Sequence, residues 1–130
     1  MTVRMAQTGI ALVFLSLGGW ALLAPASVLE LAITPQYRED TFFTRFLMAC
    51  FGAQAVLFGV VTLAVRYTAR SFAVLGAALA PFLVFDWYFH AVVPVLNTVG
   101  LLDLAGNAML LALCAAGWRA ARRSEAGAGA

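Results

Sequence analysis

Residues 42–65 read FFTRFLMACFGAQAVLFGVVTLAV, with Arg45 as the only charge. About 20 apolar residues in a row cross the hydrocarbon core of a bilayer as a helix. This stretch is long enough, and it decides the fold: it is a transmembrane span. Within it Arg45, Ala49, Gly52, Val56 and Gly59 follow a four-three-four-three spacing. They share one helical face, and that face is mostly small, as membrane helices need for close packing.

Three more stretches of the same kind surround it, at residues 7–29, 72–92 and 99–118. The expected architecture is all-α: an integral-membrane, up-down-up-down four-helix bundle. Residues 1–123 form a single four-span domain and residues 124–130 a flexible tail. The second and third linkers are short, so spans two, three and four are expected to be antiparallel neighbours. Pro81 lies inside span three, where it removes a backbone hydrogen bond. Ala24-Pro25-Ala26 also resembles a leader cleavage site. The apolar stretch continues past it through Val28, Leu29 and Leu31, so a retained first helix is expected.

Composition supports the membrane reading. Of 130 residues, 64% are apolar and 11% charged, against about 45–50% and 25% in soluble domains. That excludes an ordinary cytosolic enzyme, a disordered regulator and a nucleic-acid-binding domain. All eight basic residues are Arg, which excludes any cofactor held as a lysine Schiff base. The two thiols, Cys50 and Cys114, are expected at different depths and unpaired. With no CxxC and a single His, thiol-redox, bis-histidine haem and zinc sites are not expected. No metal is expected, and no cofactor can be read from the residues.

Arg placement gives orientation. Arg4, Arg66, Arg70, Arg119, Arg122 and Arg123 fall on one side of a four-span chain, and Arg38 and Arg45 on the other. Both termini are therefore expected in the cytoplasm, with the protein in a bacterial inner membrane.

Charged and amide groups inside spans need an explanation. Five stand out: Arg45, Asp86, His90, Asp103 and Asn107. Asp86 and His90 are four apart on one helix, as are Asp103 and Asn107 on the next. All lie toward the expected outer face, so three helices aim them at one region. Two readings are open. In one, Arg45 pairs with Asp86 or Asp103 as a clamp between helices. In the other, the cluster is a ligand, ion or catalytic site. Gln54 lies half a turn from Arg45 and is expected to stay outside the cluster.

The segment Arg45-Phe46-Leu47-Met48-Ala49-Cys50-Phe51-Gly52-Ala53-Gln54, with Gly59 after it, resembles the second span of DoxX-like and related uncharacterised bacterial small four-helix membrane proteins. Leu101-Leu102-Asp103-Leu104-Ala105-Gly106-Asn107 looks like a fourth-span opening in the same group. The resemblance implies a four-helix inner-membrane protein. Asp86 and Asp103 also look similar in position to the two Asp of lipoprotein signal peptidases, whose flanking motifs are missing.

Three functions follow from these residues. The first is a non-enzymatic accessory subunit of a larger membrane complex, or a binder of a small lipophilic ligand. The second is a membrane enzyme with Asp86 and Asp103 as an acid/base pair. The third is a small proton-coupled transporter. The lipid bilayer is a partner in each, and nothing in the residues fixes an oligomeric state.

Overall fold

The computed structural model describes residues 1–128, and its elements are helical. Helix α1 (Val3–Leu23) stops at Ala24, and the short α2 (Pro25–Ala32) starts directly after it. The expected span over 7–29 is thus broken. Pro25 is the reason: a proline bars the residue before it from helical geometry, and Ala24 sits at φ −137°, ψ 55°. A 3₁₀ turn, Pro35–Tyr37, follows. Then come α3 (Phe42–Ala64), α4 (Ala69–Ala91) and α5 (Leu101–Ala128). Four of these helices, α1, α3, α4 and α5, are long and apolar enough to cross a membrane.

Hydroxyl caps set several boundaries. Thr41 with Thr44, and Thr68 with Ser71, close reciprocal capping boxes at the heads of α3 and α4. The second box starts α4 three residues before the expected 72. Pro81 is accommodated inside a continuous α4. The tail expected after Arg123 instead continues α5 through Ala128; residues 129–130 lie outside the described residues.

The long helices alternate in direction. Gln7, near the start of α1, donates through Nε2 to the carbonyls of Thr62 and Val65 at the end of α3. The Ala69 amide at the start of α4 donates to Glu125 near the end of α5, at 3.2 Å. One end of the molecule therefore gathers Arg4, Arg66, Arg70, Arg119, Arg122 and Arg123. Arg38 and Arg45 lie at the other.

Neighbour relations depart from expectation. α1 packs on α3, α4 on α5, and α1 on α5, so the helices run α3–α1–α5–α4 in space. α3 and α4 barely touch, although they are consecutive. Their linker allows this. Val65 and Thr68 are both extended, and four residues can span up to roughly 13 Å. That exceeds the 8–10 Å between packed helices.

The small face of α3 meets α1. A Cβ on Gly52 would stand 2.6 Å from the Gly18 carbonyl oxygen and against the Leu22 backbone. Only a hydrogen side chain allows this approach. At the Arg-rich end, Ala6, Ile10, Ala69, Phe72, Leu110, Cys114 and Ala121 form a buried core of α1, α4 and α5. The Phe72 ring lies directly over Gly117. Cys50 and Cys114 are both free.

The opposite end is closed by loop rather than core. Asn97 donates to the Leu31 carbonyl at 2.8 Å and accepts from the Val99 and Gly100 amides at 2.8 and 3.1 Å. It joins the end of α2 to the start of α5. Thr34 and Asn97 amides bond to the Val95 and Ala32 carbonyls across an Ile33–Leu96 bridge. Arg38 donates to the Glu30 and Ile33 carbonyls, capping the last turn of α2.

Candidate functional site

The gap between α3 and α4 is a cleft beneath this cap. It contains two adjoining cavities of about 230 and 470 Å³ that share Leu17, Phe51 and Asp103 in their walls. The larger falls within the roughly 300–1,000 Å³ of small-molecule sites. Trp20, Ile33, Met48 and Phe85 line it. Phe58, Leu79 and Phe82 line the smaller one, with Gln54 and Asn107 among its few polar groups. Phe51, Phe58, Phe82 and Phe85 are all exposed along the opening.

Helical spacing places the polar residues. Asp103 and Asn107 lie one turn apart on α5, where it faces α4 and the cleft. Asp86 is on the α4 side of that seam and is wholly buried. Its Oδ2 accepts from Asn107 Nδ2 at 2.8 Å. Its Oδ1 meets no protein donor. The half-buried Asp103 stands one turn from Asn107 on α5 and borders both cavities.

The structure thus brings together three of the five expected residues, Asp86, Asp103 and Asn107. Arg45 is a correction. It donates through Nε and Nη2 to the two carboxylate oxygens of Asp40, at 2.5 and 2.6 Å, on the exposed surface. Gly52 already meets Leu22 at the end of α1. Arg45, seven residues earlier, lies about 10 Å farther along, beyond the helix its face would pack on. His90 also leaves the cluster: Nδ1–H donates to the Leu96 carbonyl at 3.0 Å and holds the α4–α5 loop. Gln54 is the opposite correction, because it lines the same cavity as Asp103 and Asn107. Since α3 leans on α1 and α2 but not on α4, its other flank forms a cleft wall.

Sequence reasoning gave Gln7 no role. Its signal was an amide near the start of the first span, at the depth where the unpaired carbonyls of a neighbouring helix end need donors. Among the described residues, no three His, Cys, Asp or Glu side chains are grouped to hold a metal ion. Set beside known proteins, the chain matches no family model, no curated sequence and no solved structure.

Proposed function

We propose that the protein is a four-span protein of a bacterial inner membrane that holds a small lipophilic molecule in the cleft between α3 and α4. The cleft itself carries this reading: an apolar-walled opening with one carboxyl, Asp103, and two amides, Gln54 and Asn107, in its lining. Four apolar helices support the membrane setting, and the six-to-two Arg bias supports cytoplasmic termini. The resemblance of the second and fourth spans to DoxX-like proteins supports the same setting.

Binding of the neutral dye Nile red to the purified chain in detergent tests the cleft. Met48→Trp would put a bulky ring into the larger cavity and should weaken saturable binding while leaving the helical circular-dichroism signal intact. Saturable binding unchanged by Met48→Trp would place the ligand elsewhere.

Asp103, one turn from the Asn107 that bonds Asp86, favours a second reading, a membrane hydrolase using the two carboxyls as acid and base. Turnover of a membrane-embedded peptide, lost in both Asp86→Asn and Asp103→Asn, would select it over simple binding.

A further inference from the structure

The smaller cavity carries polar groups from two helices that are not packed neighbours. Gln54 comes from α3, and Asp103 and Asn107 from α5. Asn107 is only 8% exposed, yet it lines the cavity. Its Nδ2 donates to Asp86 Oδ2 at 2.8 Å, which orients the amide. Its Oδ1 is left as an acceptor, and among the described residues no side chain or backbone amide donates to it. The Gln54 side chain likewise has no hydrogen-bond partner among the described residues. Both residues lie on helices apolar enough to cross a membrane, where a polar group without a partner is costly.

The two walls ask for opposite things. Asn107 Oδ1 and the Asp103 carboxyl oxygens accept hydrogen bonds, whereas the Gln54 amide nitrogen donates them. A ketone or an ether only accepts, and would leave Asn107 Oδ1 unmet. An ammonium only donates, and would leave the Gln54 nitrogen unmet. A carboxylate would set a second acid beside Asp103. A hydroxyl meets both walls at once: its O–H donates to α5 and its oxygen accepts from Gln54 Nε2. The rest of the lining is apolar, with the rings of Phe14, Phe51, Phe58 and Phe82 among it. Phe14 and Phe58 are tilted with centroids 4.9 Å apart, an arrangement in which aromatic rings attract one another.

We infer that the ligand of this cleft is a neutral lipophilic alcohol or phenol, its hydroxyl set between Gln54 of α3 and the Asn107 and Asp103 of α5, and its apolar body against the phenylalanine walls. Asp86 acts behind Asn107, by holding the amide so that Oδ1 is the atom left to accept. The hydroxyl joins two helices that the fold leaves apart. This inference rests on the cleft being a binding site and names the class of molecule it takes.

β-Naphthol and its methyl ether share one ring system, but only the naphthol can donate a hydrogen bond. Saturable binding of each, and of Nile red, to the purified full chain in neutral detergent is measured by equilibrium dialysis. Each affinity is taken relative to uptake by protein-free micelles. The naphthol is expected to bind at least about threefold tighter than its ether, the effect of one net hydrogen bond. Gln54→Met keeps the length of the side chain and removes its amide. It should bring the two within about twofold of each other, with Nile red binding retained. The wild-type comparison stands even if that variant fails to fold. Three results, each with Nile red still bound, overturn the hydroxyl inference and leave the cleft as a binding site. These are no saturable binding of either naphthalene, an ether that binds as tightly as the naphthol or tighter, and a naphthol preference unchanged in Gln54→Met. Failure of all three probes to bind overturns both.

Discussion

Phe72 and Phe82 lie ten residues apart on α4 in opposite surroundings. Phe72 is 1% exposed, pressed on Gly117 and edge-on to Tyr67 with ring centroids 5.1 Å apart. Phe82 is 46% exposed on the wall of the cleft. Around Phe72 three helices converge, and their backbone ends are tied by Gln7 and Glu125. Around Phe82 the side toward α3 is left open, because α3 and α4 stay apart. The protein thus concentrates its packing at the Arg-rich end, where the acid pair is absent. The half that carries the acid pair is left open. A bundle built only for stability would close both halves, so the open one is where function is to be sought.

The largest test of this contrast is a pair of truncations. Phe72→Ala removes a ring from a full core and should lower stability by about 3–5 kcal/mol, the usual range for a buried phenylalanine. Phe82→Ala removes a ring that fills no core and should stay within about 0.5 kcal/mol. Reversible unfolding in mixed micelles measures both. Equal losses would mean that the cleft is closed in the folded protein.

Asn107→Ala should have a smaller effect. It strips the donor from Asp86 Oδ2 in a wholly buried position. An acceptor stranded in that way costs about 1–3 kcal/mol. Asp86→Leu combined with Asn107→Leu removes both partners and should recover most of that loss. Recovery would show that the bond exists for the site rather than for stability. A double variant less stable than Asn107→Ala would make the bond a structural clamp.

The sequence made some of this legible, for identifiable reasons. Four helices could be read because hydrophobic length alone specifies them. The Asp86, Asp103 and Asn107 group could be read because two four-residue spacings on consecutive helices converge. The misplacement of Arg45 had one source. The helical face was right, since Gly52 and Gly59 do meet α1. But Pro25 ends α1 about two turns too early for Arg45 to share that contact. Gln54 was missed because it was placed by its offset from Arg45, which itself lies outside the cluster. The α3–α4 contact was expected because their linker is short. A linker of fixed length limits separation but does not impose contact, and its extended conformation is set by tertiary packing. The hydrogen-bonded cap over the cleft left almost no trace, since Asn97 looks like any turn residue until its partners are known.

The smallest expected effect lies at the surface of the open half. Asp40 and Arg45 form a two-pronged ion pair with both partners well exposed. Such pairs are weak because water and salt compete for them. The hydrogen bond from Arg45 holds the Asp40 carboxyl below its ordinary value. The sign follows from that direction. A carboxyl depressed in the folded state adds stability above its unfolded value and loses it as pH falls through the folded one. Arg45→Gln should therefore lower the unfolding midpoint slightly at pH 7, and the difference should begin to shrink below roughly pH 4 and vanish only below the folded-state value of Asp40. It should also fade as salt is raised. Combined with Asp86→Asn or Asp103→Asn, Arg45→Gln should be additive, since the residues share no partner. Combined with Asp40→Asn it should not. Coupling to either intrahelical carboxyl, persisting at high salt, would return Arg45 to the cleft.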